Sequence, residues 1–293
     1  MQREQTPLQR IAADFGQSRL ALAGLAGLTL ILLAALFAPL ISPQNPYDLA
    51  QLDVLDSRLP PGSKAGNGLT FWLGSDGQGR DILSGIFYGL RISLVVGVAS
   101  TTCAVLIGLT LGLAAAYFGG RTDGFIMRSV DIQLSFPAIL IALVLLALLG
   151  QGIGKTIFAL IMVQWAYYAR TVRSAALIER GKEYIEAAKG LALPPARIVF
   201  RHLLPNCLPP LIVIATVQVA AAIALEATLS FLGIGVPITE PSLGLLIKNG
   251  FDYMLSGKYW ISFFPGVALL LTIVSINLVA DQLRDVLNPR LQK

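Results

Sequence analysis

The sequence predicts an all-α integral membrane protein with about six transmembrane helices. Hydrophobic residues make up 55% of the 293-residue chain and charged residues 13%, which is about half the charged share of an ordinary soluble domain. The apolar residues are gathered into runs, and a helix of about 20 such residues crosses the hydrocarbon core of a bilayer. Composition and run length together therefore predict a bundle of membrane-spanning helices.

The six expected spans follow one another along the chain. The first, residues 20–41, carries no charge, and it is longer than the roughly 7 to 15 residues of a signal-peptide core, so we expect a retained anchor. The other spans are expected at about residues 92–118, 134–149, 157–169, 208–232 and 259–283. Arg170 and Arg173 cut the fourth run short, although its helix could continue past them into water.

The basic residues predict the orientation of the chain, because short cytoplasmic loops carry the excess of Lys and Arg. With an even number of spans, one face receives 15 of the 22 cations, in both termini and in the loops after spans two and four, and the other face receives 7. The N- and C-termini are therefore expected to be cytoplasmic. This topology explains the net charge of +5 without a nucleic-acid partner.

The expected topology divides the chain into five segments. They are a cytoplasmic segment at 1–19, the first membrane anchor at 20–41, an extracytoplasmic loop at 42–88, the membrane core at 89–283 with a charged cytoplasmic loop at 170–207, and a cytoplasmic tail at 284–293. The extracytoplasmic loop is rich in proline and glycine. We therefore expect turns and a short helix or two there rather than a domain with its own core.

The chain has few residues suited to catalysis or metal binding. Its two cysteines make neither a disulfide framework nor a multi-cysteine metal site, and His202 is its one histidine. If Ser84 were the nucleophile of a protease it would lack a general base, because His202 is expected on the opposite side of the membrane. Residues 154–156, Gly-Lys-Thr, match the last three positions of the phosphate-binding loop motif. The first glycine that this motif requires would be residue 149, which is leucine. We predict no catalytic residue and no metal site.

The cytoplasmic loop at 170–207 has helical periodicity. Its acidic residues share one face of a helix, and a narrow apolar stripe consists of Ile185, Ala188 and Ala192. Such a stripe of small side chains could press closely into the groove of a partner. We expect Pro194 and Pro195 to end this helix, because the interior of a helix does not tolerate a proline ring. On spacing alone, an ordinary charged connector stays open as the alternative.

The same residues resemble the coupling loop of ABC-importer permeases, in which Glu-Ala-Ala and a later Leu-Pro dock on the ATP-binding subunit. The matching residues are Glu186, Ala187, Ala188, Leu204 and Pro205. The glycine that the family has four positions after the second alanine falls on Ala192, which is a departure. A tight turn that relies on positive φ would be less favourable with alanine than with glycine.

The resemblance extends over about residues 8 to 291. Stretches similar to the C-type permease of dipeptide, oligopeptide and nickel importers lie at residues 72–76, 79–84, 89–94, 117–120, 135–137, 230–233, 283–285 and 288–290. The resemblance implies an ABC-importer permease fold, in which 89–283 is the permease core and 170–207 the coupling loop. It also implies an ATPase-coupling interface formed by Glu183, Tyr184, Glu186, Ala187, Ala188, Lys189, Ala192, Leu204 and Pro205.

This resemblance implies the function and the partners as well. We expect a permease subunit in a bacterial inner membrane, surrounded by membrane lipid, that imports short peptides, with nickel or a related small solute as the second choice. Its partners would be a homologous permease, two ATP-binding subunits and an extracytoplasmic substrate-binding protein. The chain itself would bind no cofactor, because ATP and Mg²⁺ would be used by the ATPase subunits.

Polar residues inside the spans are the candidates for a transport pathway. Glu226 is the one acid well within an apolar run, and such a carboxylate faces a cavity, a partner or the bundle interior. Gln218 and Gln164 are weaker candidates of the same kind. A structural hydrogen bond between helices is the alternative for all three. The alternative function is a stand-alone secondary transporter or channel, a class that tends to carry several such ionisable groups or inverted repeats.

Overall fold

The computed structural model describes residues 13–48 and 51–287. Residues 1–12 and 288–293, which belong to the expected cytoplasmic termini, lie outside the described residues, as do residues 49 and 50 of the expected extracytoplasmic loop. The α-helices in chain order are α1 (Arg19–Leu36), α2 (Ala38–Ile41), α3 (Ile82–Phe118), α4 (Gly120–Leu134), α5 (Ala138–Leu149), α6 (Ile153–Arg180), α7 (Glu183–Gly190), α8 (Pro195–Arg197), α9 (Leu204–Phe231), α10 (Leu243–Phe251) and α11 (Trp260–Leu287).

These helices account for the expected spans. Within the described residues, α1, α3, the continuous helical stretch that ends with α9, and α11 are long and apolar enough to cross a membrane. The pair α4–α5 is bent by 89° and gives a further span if it is taken as one unit. Helix α6 has 28 residues and a length of about 42 Å, but it is more polar. The six expected spans thus overlap α1, α3, α5, α6, α9 and α11, although by length and composition only four of these helices, or five if α5 is joined with α4, qualify as spans within the described residues.

Helix α3 lies at the centre of the bundle and packs on α1, α6, α9 and α11. Its contact with α6 depends on two glycines. A Cβ added to Gly108 would lie 2.4 Å from the Cβ of Tyr168, and one added to Gly112 would lie 2.7 Å from the carbonyl oxygen of Ala169. Small residues at such a contact let two membrane helices approach closely. The α3–α6 pair therefore forms a rigid core for the bundle.

The expected extracytoplasmic loop has more structure than the sequence predicts. A 3-10 helix (Val54–Asp56) is followed by a two-stranded antiparallel hairpin of β1 (Ser63–Lys64) and β2 (Thr70–Phe71). Helix α3 begins at Ile82, ten residues before the expected span, because the Asp81 side chain caps it by accepting from the Ser84 N–H at 2.8 Å. The helix therefore starts seven residues before the predicted start of the membrane core at residue 89.

The sequence did not predict helix α10. The Ser242 hydroxyl caps its first turn by accepting from the Leu245 N–H at 3.2 Å. Leu243, Leu245 and Leu246 are buried, and the helix packs against α3, α9 and α11. The chain between α9 and α11 thus folds back into the bundle instead of forming an exposed connection.

Candidate functional site

The inner face of the short helix α7 is covered by its own chain. Ile185 and Ala188 are buried, and they belong to one apolar cluster with Tyr168 and Val172 of α6 and with Leu203. Ile185 and Ala188 of the predicted apolar stripe therefore pack against this chain's own helices. An amphipathic pattern shows that a helix face is covered, but the covering element here belongs to the same molecule.

The outer face of α7 and the residues that follow it are exposed. We call this the coupling surface, and it consists of Glu183, Tyr184, Glu186, Ala187, Lys189, Leu191 and Ala192. Leu191 exposes 76% of its surface. The coupling surface thus places an uncovered large apolar side chain among acidic and basic groups.

Tyr184 fastens α7 to the two long helices on either side of it. Its hydroxyl donates to Glu179 of α6 at 2.7 Å and accepts from the Asn206 amide of α9 at 3.1 Å. The Lys182 ammonium group also forms an ion pair with Glu179 at 2.6 Å. Partial burial and the hydrogen bond to Glu179 raise the pKa of Tyr184 to about 12, so the phenol keeps its proton at physiological pH. Helix α7 is therefore hydrogen-bonded to both α6 and α9.

Helix α7 ends in a left-handed turn at Ala192. The Leu193 N–H donates to the Ala188 carbonyl at 3.2 Å and the Ala192 N–H to the Lys189 carbonyl at 2.9 Å, and Ala192 has φ +52°. This is the Schellman pattern, which normally places glycine at the left-handed position. The helix ends at Gly190, four residues before Pro194 and so earlier than predicted, and Pro195 starts α8.

We expect Ala192→Gly to stabilise the protein by about 1 kcal/mol, because an alanine side chain is disfavoured by that amount in the left-handed region. Thermal unfolding of the purified protein in detergent would measure the change. Ala187→Gly is the matched control, since Ala187 is exposed inside α7, where glycine costs about 1 kcal/mol relative to alanine. A lower melting temperature for both variants would contradict the left-handed assignment.

The chain continues from α8 without a break into the next long helix. A π-helical segment (Ile198–Leu203) joins α8 to α9. Leu204 is half-buried and Pro205 is exposed in the first turn of α9. Both residues therefore lie at the junction between the α7–α8 segment and the membrane helix.

Ion pairs hold the end of α6 that leads into α7. Arg173 makes a bidentate pair with Asp123 of α4, with N–O distances of 2.5 and 2.6 Å, and Arg170 pairs with Asp131 of the same helix. Arg180 donates to the Ala116 carbonyl at the end of α3 at 2.7 Å. The helix therefore continues to Arg180, and the first third of the expected loop at 170–207 is a fixed part of the bundle.

Two of the candidate pathway residues are buried inside this chain. Glu226 is fully buried, and it accepts from the Ser93 hydroxyl of α3 at 2.9 Å and from the Ser230 hydroxyl at 2.7 Å. Gln164 is also buried and accepts from Thr101 at 3.3 Å. Both side chains tie helices together in this conformation and line no open path. Gln218 is half-buried and stays a candidate.

The hydroxyl partners of Glu226 were not predicted from the sequence. Ser93 and Ser230 lie in apolar stretches, 133 residues and 4 residues from Glu226, and no local pattern connects the first of them to the acid. The residue type is the signal that could have indicated them, because serine hydroxyl groups in a membrane span form hydrogen bonds with neighbouring helices.

A bundle of membrane-spanning helices with a short exposed helix braced at one end defines the membrane subunit of a transport system. The chain belongs to the family of binding-protein-dependent transport system inner membrane components, whose model matches residues 108–293. A second family model, the N-terminal TM domain of oligopeptide transport permease C, matches residues 6–61. The chain is therefore a multi-pass inner-membrane transport subunit and not an enzyme.

Curated relatives match nearly the whole chain. The di/tripeptide transport system permease protein DppC of Pseudomonas aeruginosa is 36% identical over 98% of this chain and 93% of the relative. The dipeptide transport system permease proteins DppC of Alkalihalophilus pseudofirmus and of Haemophilus influenzae are each 36% identical over 98% of this chain, with 91% and 96% of the relatives covered.

Solved transporters share the fold at lower identity. A chain of the MetNI methionine ABC transporter in an inward-facing conformation matches with a TM-score of 0.55 and 22% identity, over 68% of this chain and 94% of that chain. A chain of an amino acid ABC transporter matches with a TM-score of 0.53 and 14% identity, over 68% and 92%. The chain therefore has the fold of an ABC-transporter permease, which works with an ATPase and a binding protein.

Proposed function

We propose that this chain is one of two homologous permease subunits in an importer of short peptides, with nickel or a related small solute as the second choice. The names of the curated relatives support the peptide class. The observation that carries the proposal is the coupling surface. Its residues stay exposed while the opposite face of the same helix is fastened to the membrane bundle.

In this proposal, two ATP-binding subunits dock on the coupling surfaces of the two permeases. ATP and Mg²⁺ are held by those subunits, and this chain binds neither. When the ATPases close, the movement of α7 passes to α6 and α9 through the Tyr184 contacts to Glu179 and Asn206. Rigid helices convert such a shift into alternating access to the two sides of the membrane.

The proposed orientation places α7 and both termini in the cytoplasm. The distribution of basic residues supports it, because α7 and the helices beside it lie on the face that receives most of the cations. The binding protein would then deliver substrate at the opposite face, where α3 and α6 begin. The pathway would run between this chain and its homologue.

Copurification tests the proposal. We expect the tagged chain, extracted from its native membrane in mild detergent, to bring a second permease and ATP-binding subunits, identified by mass spectrometry. Leu191→Asp should reduce recovery of the ATP-binding subunits by about tenfold or more, since burying a leucine side chain contributes about 1.5–3 kcal/mol.

Leu255→Asp provides the matched control, because Leu255 is fully exposed in the connection between α10 and α11, at the end of the bundle opposite α7. This variant should keep the ATP-binding subunits and show that Leu191 acts through position and not through added charge. Recovery of this chain alone, in a state that still transports, would contradict the importer and favour a stand-alone secondary transporter or channel.

A further inference from the structure

A cavity of about 260 Å³ lies at the end of the bundle opposite α7. Its walls come from four separate parts of the chain, namely the segment after α2, the second and third turns of α3, the start of α6 and the connection after α9. The polar lining residues are Tyr47, Tyr88, Arg91 and Glu240, and the apolar lining includes Ile92 and Ile153. The cavity therefore combines one positive group, one negative group, two phenol rings and an apolar wall.

Within the described residues, the two charged side chains of this cavity, Arg91 and Glu240, form no ion pair with each other or with another side chain. The ion pairs found among residues 13–48 and 51–287 join Asp76, Asp123, Asp131 and Glu179 to basic partners, and neither Arg91 nor Glu240 takes part in one. Arg91 is exposed and Glu240 is half-buried, so the protein itself encloses neither charge. Each group is thus available to a ligand.

The tyrosines form a fixed wall beside these charges. The rings of Tyr47 and Tyr88 pack edge to face with their centroids 5.2 Å apart, and Tyr88 is buried. Burial and the nearby carboxylate of Glu240 raise the pKa of Tyr47 to about 12, so its hydroxyl stays neutral. It can therefore donate or accept a hydrogen bond without adding charge to the cavity.

We propose that this cavity is a receiving site for a zwitterionic short peptide at the extracytoplasmic mouth of the pathway. Arg91 would bind the peptide carboxylate, Glu240 its ammonium group, and the tyrosines and Ile153 one side chain. The inference rests on the proposed function, because it assumes a peptide substrate that arrives from this face.

The lining chemistry selects this class of ligand over simpler ones. A metal cation would meet one carboxylate and the repulsion of Arg91, and a simple anion would leave Glu240 uncompensated. A ligand with both charges satisfies both residues through charge-assisted hydrogen bonds. The volume lies just below the range of about 300–1,000 Å³ that is typical of drug-sized ligands, which suits a molecule no larger than a short peptide.

Direct binding of alanyl-alanine to the assembled importer, without its binding protein, tests the proposal. We would reconstitute the importer in nanodiscs and measure the Kd for the labelled dipeptide, its N-acetyl form and its C-terminal amide. Arg91→Gln and Glu240→Gln should each weaken binding of the free dipeptide by about tenfold or more, the scale of one lost charge-assisted hydrogen bond. Lys64→Gln, which removes an exposed cation from β1, should leave binding unchanged.

The capped peptides assign each charge to its residue. Glu240→Gln should not affect the N-acetyl form, which lacks the ammonium group, and Arg91→Gln should not affect the amide, which lacks the carboxylate. Equal sensitivity of all three ligands, or no saturable binding to the wild type, would overturn the proposal. It would also be overturned if both variants bound dipeptide normally and weakened only the activation of ATP hydrolysis by the binding protein, since that result assigns the charges to protein docking.

Uptake by the wild-type importer with its binding protein separates this inference from the proposed function. If the wild type fails to import any short peptide, the proposed function is wrong. If it imports peptides while Arg91→Gln and Glu240→Gln leave dipeptide binding unchanged, only the receiving site is wrong.

Discussion

An importer that carries Glu186→Ala is expected to hydrolyse ATP but to import at least about tenfold less substrate than the wild type. Glu186 is exposed in the first turn of α7, and the ion pairs found among the described residues do not include it. Its removal should therefore leave the fold intact. Truncating one member of a charge pair that becomes buried at an interface costs about 2–5 kcal/mol, and tenfold corresponds to about 1.4 kcal/mol.

Uptake and ATP hydrolysis must be measured on the same reconstituted sample, because the prediction concerns their ratio. Asp281→Ala is the matched control, since it removes one exposed carboxylate from α11 and not from the coupling surface. It should keep the wild-type ratio of substrate imported to ATP hydrolysed. Normal uptake in Glu186→Ala, with Asp281→Ala also normal, would show that the Glu186 carboxylate takes no part in coupling.

The membrane helices could be predicted from sequence because their signal is local. A long run of uncharged, apolar residues such as 20–41 is stable as a helix in the bilayer core, independently of contacts with the rest of the chain. Helix α10 carries no such signal. It has nine residues, too few to be stable alone, and it forms because its leucines are buried by α3, α9 and α11. Its existence depends on contacts that a local pattern does not contain.

The candidate site was predictable in part for the same reason. The sequence correctly predicted a helix within the loop at 170–207 that has one apolar and one polar face. It did not predict which molecule covers the apolar face, because periodicity describes a helix and not its neighbour. The family pattern marked Ala192 as a departure from glycine. The left-handed backbone at Ala192 shows that the turn keeps its geometry with the less suitable residue.

The receiving site could not be predicted by local reasoning. Tyr47, Arg91, Ile153 and Glu240 are separated by 44, 62 and 87 residues along the chain, and the fold alone places them around one cavity. In the sequence each is an ordinary residue near the end of an apolar run. A charged residue at such a boundary is typical of any membrane helix, so the pattern gave no reason to connect them.

Arg80→Met is expected to destabilise the end of the bundle opposite α7 by about 3–5 kcal/mol, the cost of leaving one buried charge without its partner. The Arg80 Nε lies 2.7 Å from Asp76, and both side chains are at most 7% exposed. Asp76 also accepts the backbone N–H groups of Gln78 at 2.8 Å and Arg80 at 3.0 Å, so it holds the turn that leads to α3. Both backbone hydrogen bonds remain after the substitution, so we expect the loss of stability to lie in the lower part of this range.

The segment around this ion pair is bound to the rest of the bundle, so its loss should be visible beyond the turn itself. The Trp260 indole of α11 donates to the Ser75 carbonyl at 3.4 Å, and Asp81 caps α3. We expect Arg80→Met to increase chymotrypsin cleavage between residues 51 and 81 and to lower the melting temperature in detergent. Lys64→Met, an exposed change in the same segment, should do neither, and neither substitution removes a chymotrypsin site such as Phe71 or Trp72.

The double variant Asp76→Asn/Arg80→Met separates a lost attraction from an uncompensated charge. Without the carboxylate no charge is left buried, and the asparagine oxygen can still accept both backbone N–H groups. The double variant should therefore be more stable than Arg80→Met alone, by about 1 kcal/mol or more, because most of the penalty for breaking a buried pair comes from the charge that remains. A double variant that is as unstable as the single one would show that the packing of the Arg80 side chain, and not its charge, holds this end of the protein together.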